Sequence, residues 1–391
     1  TALGSVSHGV LSSFGPKFGV PQMVQGRAAF GFIGNILPSL LMSVTSGIGW
    51  FAVNSVSATF ALVVLLHLPF LVALLIVVLL QVLVAFFGHN LVQVFERYAF
   101  FPLVIVFAIS AVVVLTKSHL GVGFNAKAPV AFGGPVGAFI LTAAAAFGYA
   151  CGWNPYASDY TRYLPRTSSR LWTGIWAGLG IFVSCTVLEI VGAALVTVSG
   201  TRWGASDNPT QQLANALPYV LSVFTLLCIT LGGIAANALN IYSGAMAFLT
   251  VGLRIGARQR RAIVAIVFGA IGFVLAAWGS GSAANNYNDF LLLIAYWIAP
   301  WLGVMFTEFL LRRGDFGNES IFYDRSHGGW QGVTAFVVAT VLSIWLFANQ
   351  TIYVGPIPFR APQVGDLTFL VGFLLAAGLY AALTWRIRRH A

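Results

Sequence analysis

Charge is what this sequence has least of. Of its 391 residues, 8% are Asp, Glu, Lys or Arg, against about 25% in an ordinary soluble domain, so a water-facing surface cannot be built from them. Cysteine is scarce too. The 3 present, Cys151, Cys185 and Cys228, lie in apolar stretches, which argues against a disulfide framework or a zinc site and leaves them as small buried side chains. Long polar segments are missing, with loops under about twenty residues, so no soluble domain is visible. The polar/apolar alternation of an outer-membrane barrel is absent as well. In its place are uninterrupted runs: no Asp, Glu, Lys or Arg occurs from Ala28 to Phe95, from Asn208 to Leu253, or from Ala262 to Asn288.

What fills those runs is 59% hydrophobic residues, with 32 Phe and 11 Trp. A transmembrane helix needs about 20 predominantly apolar residues, and Gly/Pro breaks and charges divide the chain at that length. The expected architecture is an all-α polytopic membrane protein, a single transmembrane transporter domain over 1–391. A partial helix over 1–12 is followed by ten full spans near 36–66, 68–87, 98–116, 136–158, 172–199, 219–252, 262–279, 287–311, 331–350 and 367–385. The chain opens at Thr1 without Met, and TALGSVSHGVLSS reads as the end of a helix already in the membrane, not as a signal peptide. An N-terminally incomplete chain is the expectation.

The net charge of +10 resolves into topology. Sixteen of the 20 basic residues fall in one alternating set of loops and at the C-terminus, among them Lys17, Arg97, Arg162, Arg254 and Arg389. The other set holds Lys117, Lys127, Arg202 and Arg360. By the positive-inside rule the first set and the C-terminus are cytoplasmic in a multi-pass cell-membrane protein. Placed this way, the basic residues do not form a nucleic-acid surface.

Within PVGAFILTAAAAFGYACGWNPYAS, over 136–158, Gly148, Gly152 and Pro155 fall within eight residues. Proline removes a backbone donor and glycine loosens a helix; at bilayer depth the freed groups need protein or a water-filled cavity. A Gly/Pro-interrupted span is the best sequence pointer to a transporter binding site. Three clusters could converge there. Trp50 and Asn54 lie one turn apart on one helix face, Tyr149 and Trp153 flank the break, and Asn237 and Asn240 share GGIAANALNIYSG. Aromatic faces stack on flat heterocycles, and carboxamides both donate and accept as a base edge requires. The set has no charged member, which suits a neutral planar solute.

Glu189, in SCTVLEIVGAA, is the acid deep within a span, where a charged group costs about 2.5 to 3.5 kcal/mol; it is a candidate proton carrier or a partner for another polar group. Glu308 stands four residues before Arg312, the spacing of an i,i+4 ion pair. Asp159, with Arg162 and Arg166, is assigned to a cytoplasmic cap network. No metal ligand set or organic cofactor is expected.

GWNPYASDYTRYLP (152–165), FGPKFGVPQMVQGRAAFGFIGNILPSLL (14–41) and LLLIAYWIAPWLGVMFTEFLLRR (291–313) resemble the purine-cytosine permease branch of the nucleobase:cation symporter family, from about residue 10 onward. The resemblance implies a LeuT-like fold of twelve helices, the first ten forming two inverted repeats of five, with this chain starting in the second helix. The spans at 36–66, 136–158 and 219–252 would then be the third, sixth and eighth helices. It further implies that Trp50 stacks on the substrate ring, with Asn54 the amide one turn beyond. Tyr149 is the nearest match to the sixth-helix aromatic, Phe147 and Trp153 being one register away, and Asn237 matches the amide that reads the ring edge. Sodium-coupled members carry neighbouring hydroxyls before that Asn. Here TLGGIAAN offers only Thr230 as a cation ligand, which favours a co-transported proton over sodium.

The expected function is import of a neutral nucleobase, cytosine or a purine, by cation symport. Related cargo (uracil, allantoin, hydantoin or a vitamin-like base) is the alternative, and a membrane receptor or enzyme a remote one. The expected partners are the nucleobase and the lipid bilayer, with no nucleic acid and no obligate protein partner.

Overall fold

The computed structural model describes residues 1–87, 89–119, 133–199, 207–250, 257–314 and 319–388. Lys127, Arg202, Arg254 and Arg389 of the charge map lie outside the described residues. Helix α1 is Ala2–Ser12. The span α2 runs over Ile36–Leu66, α-helical at Ile36–Val44 and Phe51–Leu66 with a π-helical turn at Thr45–Trp50 between them. Then come α3 (Phe70–Phe87), α4 (His89–Lys117), α5 (Gly134–Cys151) and α6 (Arg170–Ser199). The chain continues through α7 (Tyr219–Leu249), α8 (Ala257–Gly279), α9 (Ala283–Leu311), α10 (Trp330–Phe347) and α11 (Thr368–Arg388). Eight helical segments among the described residues are long and apolar enough to cross a membrane. Among the described residues, extended pairing is limited to two isolated bridges, Gly31 with Gly328 and Asn349 with Val354.

The boundaries follow from local chemistry. Gly133 and Gly134 adopt left-handed φ of 76° and 81°, and Pro135 follows inside the first turn of α5, where its missing N–H costs nothing. Asn208 caps a short helix, Pro209–Ala216, by accepting from the N–H groups of Thr210 and Gln211 at 2.9 and 3.2 Å. That amphipathic helix is absent from the span pattern because it is too short and polar to register as one. A 3-10 turn at Ser280–Ser282 joins α8 to α9.

Tertiary packing gathers the chain into two compact units, Thr1–Leu41 with Ala126–Cys185 and Asn288–Ala391, and Met42–Asn125 with Thr186–Tyr287. Each gathers segments far apart in sequence, so the division is invisible to a linear reading. In the first unit, α5 approaches α9 so closely at Gly148 that a Cβ there would lie 2.1 Å from the Leu291 carbonyl oxygen. In the second, α2, α3, α7 and α8 bury Phe51, Leu74, Val78, Ile241 and Ala265 together. Cys151, Cys185 and Cys228 are free thiols buried in these interiors.

Candidate functional site

In the second unit, α2 and α7 bring amides together. Asn237 is fully buried, and its carboxamide has four partners. Its Nδ2 donates to the Phe51 carbonyl at 2.9 Å and to Ser55 Oγ at 3.2 Å. Its Oδ1 accepts from Asn54 Nδ2 and Asn240 Nδ2, each at 3.1 Å. A carbonyl can only accept, so the atom facing Phe51 must be the nitrogen, and the orientation of the Asn237 amide follows. With two donors and two acceptor sites used, Asn237 is the hub of the cluster. Asn54 is half-buried, and its Oδ1 is not taken up by any described residue, so its carboxamide edge is the one left to present.

Trp50 ends the π-turn and is buried, one turn before Asn54. A π-turn inserted in an α-helix is rare and frequently marks a functional segment. Here Ser46 within it donates to the Asn240 carbonyl at 2.6 Å, and Ser43 just before it to the Gly244 carbonyl at 2.9 Å. These bonds pin α2 to α7 in the two turns that precede Trp50.

The first unit holds the Gly/Pro segment. Helix α5 stops at Cys151, a 3-10 turn covers Asn154–Tyr156, and a short helix resumes at Ala157–Thr161. The break is tied to α1 in both directions: the His8 ring nitrogen bonds the Trp153 carbonyl at 3.0 Å, and Ser158 Oγ donates to the Leu11 carbonyl of α1 at 3.1 Å. Asn154 Nδ2 donates to Ser7 Oγ at 2.6 Å. Of the aromatics around the break, Phe147 is buried and stacked on Phe369 at 4.6 Å. Tyr149 and Trp153 keep partial exposure, with Trp153 tilted against Tyr156 at 5.5 Å.

Glu189 lies within the candidate span Arg170–Val198. Its side chain is exposed on α6, because the helix turns that position away from the neighbours that bury Val191 and Ala194. Thr230 is buried and donates to the Leu226 carbonyl one turn back at 3.0 Å. The Glu308–Arg312 ion pair forms as its spacing predicts, and Tyr380 adds a hydroxyl donor to the same carboxylate at 2.9 Å. Asp159 is buried and accepts from the Gln22 N–H at 3.0 Å, while Arg166 pairs with Glu319 at 3.1 Å.

Sequence reasoning missed Ser55 and Gln81, which extend the amide cluster to α3. Ser55 Oγ is 2.8 Å from Gln81 Oε1, and Gln81 Nε2 donates to the Gly233 carbonyl at 3.2 Å. The available signal was Gln81 itself, alone among apolar residues in FLVALLIVVLLQVLVAFF.

Apolar spans, a helix broken at Gly152–Pro155 and a buried uncharged amide cluster together define a polytopic helical transporter. Fold comparison agrees. The structure of Mhp1, a nucleobase-cation-symport-1 family transporter with bromovinylhydantoin bound, matches with a TM-score of 0.71 at 18% identity, over 98% of this chain and 83% of that one. The chain belongs to the family of permeases for cytosine/purines, uracil, thiamine and allantoin, whose profile matches residues 1–372. Relatives include the purine-cytosine permease fcyB of Emericella nidulans, 29% identical over 97% of this chain and 76% of its own length. The cytosine permease of Escherichia coli O157:H7 is 24% identical over 94% and 81% respectively.

Proposed function

We propose that the protein imports a neutral nucleobase, cytosine or a purine, by proton symport, with its C-terminus in the cytoplasm. The observation that carries the reading is the cluster of Asn54, Asn237 and Asn240, whose side chains are all uncharged carboxamides. A charged cargo calls for a charged partner, whereas a base edge calls for a neutral group that both donates and accepts. Trp50, one turn from Asn54, supplies the stacking face. Relatives named for purines and cytosine support the same cargo.

The proton is favoured as the coupling ion because sodium takes several oxygen ligands and the α7 stretch before Asn237 offers the single hydroxyl of Thr230. Glu189 is the proposed carrier. The family description also names uracil, thiamine and allantoin, which keeps a related heterocycle as the second reading.

The test is uptake of radiolabelled cytosine, adenine, hypoxanthine, uracil, allantoin and hydantoin by cells expressing the gene product that carries this chain. Saturable uptake of cytosine or a purine is expected, and uptake of none of the six would end the nucleobase reading. Glu189→Gln should abolish pH-driven accumulation while sparing exchange. Wild-type uptake that follows sodium and ignores pH would refute proton coupling.

A further inference from the structure

Helix α2 is α-helical on both sides of the π-turn Thr45–Trp50. A helix left to itself rarely adopts such a turn, so neighbours must hold it, and two of them do. Ser46, completely buried, sends its hydroxyl across to the Asn240 carbonyl of α7 at 2.6 Å. Ser55 and Ser57, further along α2, instead return theirs to the carbonyls of Phe51 and Val53, one turn back in the same helix. Gly47 leaves a gap that the Phe268 ring of α8 fills, so that a Cβ at Gly47 would collide with that ring. Ile48, the next residue, packs against the cluster of Phe268 and Ala245. The turn is thus gripped from α7 through a hydrogen bond and from α8 through an aromatic ring.

The turn decides where the residues after it point. An i→i+5 turn takes in one residue more than an α turn. Side chains beyond it are therefore set back by about 100° around the axis from where an uninterrupted α-helix would carry them. Trp50 closes the turn, so the direction of its indole depends on whether the turn is π or α.

We infer that Ser46 is a positioning residue for the transported base: with Phe268 it holds the π-turn that aims the Trp50 ring. Ser46→Ala leaves the turn gripped from α8 alone, and α2 then regains regular hydrogen bonding by swinging Trp50 off the stacking direction. Ser43 is the natural control. It is also buried and also donates to an α7 carbonyl, that of Gly244 at 2.9 Å, but it lies before the turn.

The inference rests on the nucleobase reading, and wild-type uptake tells their failures apart: uptake of no base ends that reading and this inference with it. Where wild type takes up a base, Kd for that radiolabelled base and melting temperature are measured on purified Ser43→Ala, Ser46→Ala, Trp50→Ala and the Ser46→Ala, Trp50→Ala double variant. Maximal uptake rate is measured in cells for the two serine variants. Both of these lose one bond of the same kind and should melt lower by similar amounts, with maximal rate within about twofold of wild type. Ser46→Ala alone of the two should raise Kd, by about fivefold, since a misdirected ring loses part of a base stack. Trp50→Ala should raise Kd at least as much. Adding Ser46→Ala to it should change Kd by less than about twofold, because the hydroxyl then has no ring left to aim. A wild-type Kd in Ser46→Ala or in Trp50→Ala, an equal rise in Ser43→Ala, or losses that multiply in the double variant would overturn the assignment. If Ser46→Ala fails to reach the membrane, Phe268→Leu takes its place under the same criteria.

Discussion

Asn237 and Asn54 share one hydrogen bond and should respond oppositely to truncation. Asn237→Ala removes four bonds at a site with no solvent access. Side-chain hydrogen bonds between membrane helices average about 0.6 kcal/mol, so the three bonds to α2 come to roughly 1.8 kcal/mol of stability, before the bond from Asn240 within α7 and any void left by the carboxamide are counted. Asn54→Ala removes one of those bonds, roughly 0.6 kcal/mol, from a half-buried residue whose remaining edge is proposed to meet the cargo. Its principal effect should be on KM, about a tenfold rise for loss of one well-made hydrogen bond. The assay pairs thermal unfolding of the detergent-solubilised protein with cytosine uptake in cells. The expected pattern is a large fall in melting temperature for Asn237→Ala, and a small fall with a raised KM for Asn54→Ala. Should Asn54→Ala destabilise as much as Asn237→Ala, or Asn237→Ala leave the melting temperature unmoved, the division of labour drawn from their hydrogen bonds is wrong.

Two further outcomes are expected. Gly148→Val should destabilise by about 1 to 3 kcal/mol, since its Cβ would meet the Leu291 carbonyl oxygen at 2.1 Å; a melting temperature equal to wild type would contradict that helix contact. Burial raises the pKa of Asp366 above the ordinary carboxylate value, even though the N–H groups of Asn349 and Thr368 donate to it at 2.9 Å. The folded state therefore holds this proton to higher pH than the unfolded state, and stability falls as pH rises from about 4 through the raised folded value. Asp366→Asn should flatten this slope, and melting curves at several pH values, wild type against variant, would expose a slope that the substitution leaves untouched.

The legibility of the site in sequence was uneven for identifiable reasons. The break in α5 was readable because Gly152 and Pro155 act on their own backbone. The Glu308–Arg312 pair was readable because its spacing is a property of any helix. Trp50 and Asn54 could be placed on one face for the same reason. That Asn237 is engaged on all four hydrogen-bonding positions was not readable, since its bonded partners Asn54 and Phe51 lie 183 and 186 residues away. Nor was it readable that Phe147 is buried against Phe369 while Tyr149 keeps partial exposure, because the register of an aromatic run says nothing about how deeply each ring is buried. The π-turn at Thr45–Trp50 left no mark in the apolar pattern, since one extra residue per turn disturbs the pattern too little to show.

Sequence alone determined that this chain lives in lipid, where its spans run and where one of them breaks. Those properties follow from the composition of each segment and from the local effects of Gly and Pro, and they hold whatever the segments pack against. Tertiary structure decided which polar groups are spent on the fold and which remain for a ligand. A carboxamide has the same donors and acceptors everywhere. Only the helices set beside it determine whether they are already satisfied, as at Asn237, or left with an open edge, as at Asn54.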